Sequence, residues 1–180
     1  MPSTFQALAV ALLALLLGAL YAFDVIGLAV GVVHDVYREQ TIGAARGMGV
    51  RLNSVPVAAE PGTGSMAGQV VLTEWSSGFR AWPGMEKFME WVSGEHGTIR
   101  IIGSCALSLA HAGLGRAAAT ILPGKYNSWD VAAGVIIATE GGCQLFDTFG
   151  PAGDLPEHGL LVATTDVADA VWDAWSRSRS

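Results

Sequence analysis

The sequence predicts a layered α/β domain, and three observations lead there. Short Val- and Ile-rich runs alternate with longer stretches whose apolar residues fall at helical spacing. Clusters of Gly, Pro, Asn and Ser separate these runs, as turns and loops require. Hydrophobic residues make up 51% of the chain and charged residues 14%, which is enough to fill a core and too little charge for a disordered chain. The 180 residues suit one domain or a large piece of one.

From Phe5 to Phe23 no residue is charged, and most are Ala, Leu or Val. Such a length would cross a bilayer, for which ~20 apolar residues suffice. A signal peptide fits less well, because its start should be basic and no Lys or Arg precedes Arg38. Three readings stand: a membrane anchor, a buried part of the domain, or non-native sequence from a misplaced start or frame error. Composition changes sharply at Asp24, so residues 1–24 are set apart from 25–180. The expected location is the cytoplasm, or a membrane surface if the first segment is an anchor.

Gly27 to Val33 reads as a buried strand ending at His34-Asp35, and Gln40 to Ala45 as its hairpin partner. Gly47-Met48-Gly49 and Asn53-Ser54 turn the chain before Val55-Pro56-Val57. Residues 60–68 form a surface loop. Val70 to Thr73 is a strand. Trp82-Pro83 opens a helix, since proline is tolerated in a first turn. Met85, Phe88, Met89 and Val92 form its core-facing stripe. Residues 98–102 are a strand, followed directly by a helix over 106–113. Residues 131–139 form an apolar, buried helix ended by Gly141-Gly142. Residues 144–146 and 160–163 are short strands, and Thr165-Asp166 caps a last helix carrying Val167, Ala170, Val171 and Ala174.

The net charge of −6 argues against a nucleic-acid partner, which needs clustered Lys and Arg. A small anionic substrate then needs a cation or a local group of backbone N–H donors. Cys105 and Cys143 lie far apart without paired histidines, so they read as reduced thiols and not as a zinc site.

Two motifs carry chemistry. Asp130 stands before the apolar helix, where an Asp serves as an N-cap or as a metal ligand. Ala133 occupies the position where a capping box would need Glu or Gln. Gly103-Ser104-Cys105 joins a strand to a helix, where small side chains let a ligand approach N–H groups at the helix start. Close helix–sheet packing explains the same residues.

The segment Trp129-Asp130-Val131-Ala132-Ala133-Gly134, continuing through Thr139-Glu140-Gly141-Gly142, resembles the second signature of the inositol monophosphatase family. Gly31-Val32-Val33-His34-Asp35, Ala45-Arg46-Gly47-Met48-Gly49, Asn53-Ser54-Val55-Pro56-Val57 and Ile102-Gly103-Ser104-Cys105-Ala106-Leu107 are similar to other family segments in the same order. The resemblance implies the family's layered α+β sandwich over 25–180, truncated at its N-terminus, and Mg2+-dependent hydrolysis of a small inositol or sugar phosphate. It implies that Asp130 binds the metal and that Gly103, Ser104 and Cys105 touch substrate hydroxyls. Homodimers are a family expectation.

Departures from the family pattern qualify this. Pro123 stands seven residues before Asp130, where inositol-specific members carry a Glu that binds a ring hydroxyl. A bisphosphate substrate, of a sugar or nucleotide-derived, is therefore an alternative. Lys125 nearby reads as a side chain that meets an anion or as a solvated surface lysine. Cys143 replaces a small residue of the signature. The family's first metal motif, Asp-Pro-x-Asp-Gly followed by Thr or Ser, is absent from the sequence. One carboxylate holds magnesium weakly, since the ion prefers six oxygen ligands. The chain alone is thus expected to be impaired, or to be a non-catalytic remnant that is membrane-tethered if Phe5 to Phe23 is an anchor.

Overall fold

The computed structural model describes residues 28–58, 62–75, 81–153 and 155–179. The apolar segment from Phe5 to Phe23 lies outside the described residues, as do Gly27 and Glu60. No helix among the described residues is long and apolar enough to cross a membrane.

Strands β1 (Val30–Asp35), β2 (Gln40–Ala45), β3 (Val50–Leu52) and β4 (Val55–Val57) form an antiparallel sheet in chain order. The predicted hairpin is present, with Val33 opposite Ile42. Asp35 closes its turn by accepting from the N–H groups of Tyr37 and Arg38 and from the Arg38 guanidinium at 2.9 Å. Asn53 and Ser54 both have positive φ, 49° and 71°, as two-residue hairpin turns require.

The second sheet follows as β5 (Val70–Thr73), α1 (Met85–Gly94), β6 (Thr98–Ile101), α2 (Cys105–Gly113), β7 (Ala119–Leu122), α3 (Ser128–Glu140), β8 (Cys143–Phe146), β9 (Leu160–Thr164) and α4 (Ala168–Ser178). Its strand order is β6-β5-β7-β9-β8. β5 runs parallel to both β6 and β7, while β9 is antiparallel to β7 and β8.

Four layers result. Val33, Ile42 and Val50 of the first sheet pack on Ala110, Leu114 and Ile137 of the α2–α3 layer. The other side of that layer, with Leu109, Val131 and Val135, meets Leu122, Leu145, Leu160 and Val162 of the second sheet. The far face of the second sheet is covered by Phe88, Val92, Val171 and Trp175 of α1 and α4. This is the layered sandwich that the alternating pattern predicts.

Gly134 makes the central contact between α2 and α3 close. A Cβ at this position would meet the Leu109 Cβ at 2.6 Å.

Several expectations are corrected. β7 is a central, fully buried strand absent from the elements expected above; it is only four residues long and follows the small-residue run Ala117-Ala118-Ala119. β3 is also left out, being only three residues long. Pro83 lies outside α1, which starts at Met85 after a left-handed Gly84. Met89 is 45% exposed, on an open groove beside the edge strand β6 that also exposes Trp75. Asp166 does not cap α4, whose cap position is Val167. Its carboxylate instead accepts from the Gly64 N–H at 2.9 Å and ties down the preceding loop.

Candidate active site at the carboxyl ends of the parallel strands

In open α/β sheets the crevice beyond the carboxyl ends of the parallel strands is where ligands bind. Here β5, β6 and β7 end at Thr73, Ile101 and Leu122. β6 leads through Ile102 into Gly103, which has φ +81° and no described residue within 4 Å of where a side chain would stand. A glycine adopts this left-handed turn without strain. Ser104 is the N-cap of α2, its side chain accepting from the Leu107 N–H at 3.3 Å. The loop is therefore built by local sequence chemistry, and helix N-terminal N–H groups gather at its end.

A residue outside the predicted set organises this loop. Glu74, just after β5, accepts from Gly103 N at 3.1 Å, Ser104 N at 3.2 Å and Ser108 Oγ at 2.9 Å. Two of the loop's N–H groups thus already have a partner within the protein. Nothing local marks Glu74 in the sequence, because its donors lie about thirty residues on and arrive only through the β5–β6 pairing.

Asp130 lies in the first turn of α3 and is exposed. The helix begins at Ser128 with Asn127 at its N-cap, three residues earlier than the apolar run suggests. Asp130 is therefore the third helical residue and not the cap. Its Oδ2 accepts from Asn127 N at 3.4 Å and Asn127 Nδ2 at 3.1 Å, so it takes the capping-box position that the sequence reading assigns to Ala133. Oδ1 makes no hydrogen bond among the described residues.

Asp130 and the 103–105 loop lie at the starts of two packed helices: a Cβ at Gly134, one turn along α3 from Asp130, would stand 3.2 Å from the Ala106 carbonyl in the first turn of α2. The half-buried Cys105 thiol is pushed above its ordinary pKa, first by burial, then by the charges of Glu74 and Asp130. Tyr126, between Pro123 and Asp130, is pinned by its hydroxyl to the Pro156 carbonyl, which fixes the approach to α3.

The sequence model of the inositol monophosphatase family matches residues 13–176. The chain belongs to the inositol monophosphatase family. A fructose-1,6-bisphosphatase/inositol-1-monophosphatase of Thermotoga maritima is 32% identical over 147 residues, which are 78% of this chain and 52% of that protein. An inositol monophosphatase of Mesembryanthemum crystallinum is 32% identical over 81 residues, 45% of this chain and 30% of that protein. Among solved structures, a Thermotoga maritima IMPase superposes with a TM-score of 0.72 at 27% identity, covering 83% of this chain and 56% of the other. The chain thus spans about half or less of the length of the curated relatives it matches.

Within the family signature, Glu140 has a role that the sequence does not reveal. Its two carboxylate oxygens accept from Gly47 N at 2.8 Å and Gly49 N at 2.9 Å. The signature helix therefore clamps the glycine-rich turn of the first sheet.

The family's metal would need several oxygen ligands from the described residues. No group of three or more His, Cys, Asp and Glu among them is placed to hold an ion. Asp130 offers one exposed carboxylate oxygen, which fits a single position of an oxygen-ligated site and does not complete it.

Proposed function

We propose that the chain carries the substrate loop and one metal-ligand carboxylate of a magnesium-dependent phosphomonoesterase acting on a small inositol or sugar phosphate. Membership in a family of phosphatase-type hydrolases supports this reading. The observation that carries it is the placement of Asp130 and the Gly103–Ser104–Cys105 loop at the starts of two packed helices beyond the carboxyl ends of the parallel strands.

In this reading Asp130 supplies one oxygen ligand to the cation. Gly103, whose open side leaves room for an approaching ring, Ser104 and Cys105 contact the hydroxyl end of the substrate. The magnesium ion, when bound, neutralises phosphate charge. The chain's own contribution is orientation: Tyr126 fixes the approach to α3, and Glu74 fixes the loop.

A second reading, a bisphosphate substrate, is favoured by Pro123 in place of the inositol-specific Glu and by the name of the Thermotoga maritima relative.

The test is phosphate release from inositol 1-phosphate with magnesium, beside Asp130→Asn. A single carboxylate predicts release far slower than that of a full-length family enzyme, and slower still in the variant. Equal release from the two proteins removes Asp130 from the reaction. Release as fast as the full-length enzyme's contradicts the argument from the ligand set.

A further inference from the structure

The start of a helix attracts anions, because its first N–H groups lack intrahelical partners and the dipole is positive there. A strand-to-helix turn built on Gly103 and Ser104 would suit a phosphate. In this protein the Gly103 and Ser104 N–H groups of that turn are already taken. Glu74 reaches across from the end of β5 and places Oε2 on Gly103 N and Oε1 on both Ser104 N and Ser108 Oγ.

We infer that Glu74 determines specificity at the candidate site by occupying the anion-accepting start of α2, so that the loop takes an uncharged hydroxyl and rejects a second phosphate. This deepens the function proposed above and rests on that reading for what the loop contacts.

Three observations support it. A carboxylate offers about four lone-pair sites, and the described residues use three, which leaves one acceptor for a donating hydroxyl. Among the described residues the hydrogen-bond partners of Glu74 are two backbone amides and a serine hydroxyl, none of them a cation. Asp130 adds a second negative charge on the neighbouring helix, where Gly134, one turn on, packs against the Ala106 carbonyl at the start of α2. A phosphate at this end of the substrate meets two carboxylates and no free loop amide at Gly103 or Ser104. A hydroxyl meets an acceptor. Between the two readings of substrate, this favours a monophosphate whose other end is a polyol.

The experiment uses inorganic phosphate, without magnesium, on isotope-labelled full chain, followed at the Gly103 and Ser104 amides. Wild type is expected to show no saturable shift there. Glu74→Gly vacates the position and frees both amides. Phosphate is then expected to shift them saturably, with binding about ten-fold tighter than to wild type. If Glu74→Gly does not fold, Glu74→Gln keeps an acceptor for the loop but removes the charge, and the same gain is expected in smaller degree. Wild-type amides that titrate as strongly as the variant's overturn the inference. So does a folded variant whose amides do not respond. Neither outcome depends on turnover or on inositol phosphate binding, so the inference and the proposed function fail separately.

Discussion

The carboxylate of Glu140 accepts a hydrogen bond from the backbone N–H of Gly47 at 2.8 Å, joining the end of α3 to a turn 93 residues earlier in the chain. The other oxygen takes the N–H of Gly49 at 2.9 Å. A hydrogen bond to a charged group is worth about 1.5–3 kcal/mol where its loss leaves donors unpaired, and water repays part of this at a half-exposed site. Glu140→Ala is expected to destabilise the chain by roughly 1–3 kcal/mol. Urea unfolding measures it. A midpoint unchanged from wild type would show that the clamp contributes nothing.

Gly134→Ala tests the contact between α2 and α3. Alanine improves helix propensity by about 1 kcal/mol over glycine. Its Cβ, however, would lie 2.6 Å from Leu109 Cβ and 3.2 Å from the Ala106 carbonyl. Overpacking a tight core costs about 1–3 kcal/mol or more, so the net effect is destabilisation. A thermal midpoint at or above wild type contradicts the packing described.

Asp35 predicts an acid limb in stability. The Arg38 guanidinium bonded to its carboxylate is the chief cause that holds its pKa below the ordinary aspartate value. A depressed folded pKa means that the carboxylate stabilises the fold above the unfolded value of about 3.9. That contribution is lost as pH falls through the lower folded value. Asp35→Asn is therefore expected to be less stable than wild type at neutral pH and to lose less stability on acidification. Unfolding curves from pH 7 to pH 2 compare the two, and parallel loss in both proteins would remove Asp35 as a cause.

The two thiols are expected to differ from a free cysteine and from each other. Burial, then the charges of Glu74 and Asp130, raise the Cys105 pKa, so little reactive thiolate forms near neutral pH. Cys143 is pushed up to about 12 by burial, then by Asp166. Iodoacetamide at pH 8 should modify Cys105 more slowly than free cysteine and leave Cys143 unmodified in the folded chain. Asp130→Asn removes one of the charges, so Cys105 should react faster. An unchanged rate would place Asp130 too far from the loop for the site described.

The local rules account for the parts of this fold whose chemistry is local. The β1–β2 hairpin follows from two Val/Ile-containing runs around a polar connection, and α1 from Met85, Phe88 and Val92 at helical spacing. Strand β7 is four residues long after an alanine run, too short for a clear pattern, and β5 and β9 pair with it on either side. Met89 fits the helical stripe yet stays exposed, since β6 beside it is an edge strand. Asp166 stands where a cap belongs, but a loop about a hundred residues earlier claims its carboxylate. At the site, Ser104 and Asp130 lie in segments that the family resemblance marks. Glu74 has no local signature, because its donors belong to another strand's exit. Long-range partners, absent from any short window, decide each of these cases.

The measurement that bears most directly on the site is an amide-detected titration of the folded chain with inositol 1-phosphate and magnesium, repeated on Asp130→Asn. The account predicts saturable shifts confined to Gly103, Ser104, Cys105 and Asp130 with their immediate neighbours, and their loss in the variant. Shifts that cluster elsewhere, or an identical titration in Asp130→Asn, would contradict it.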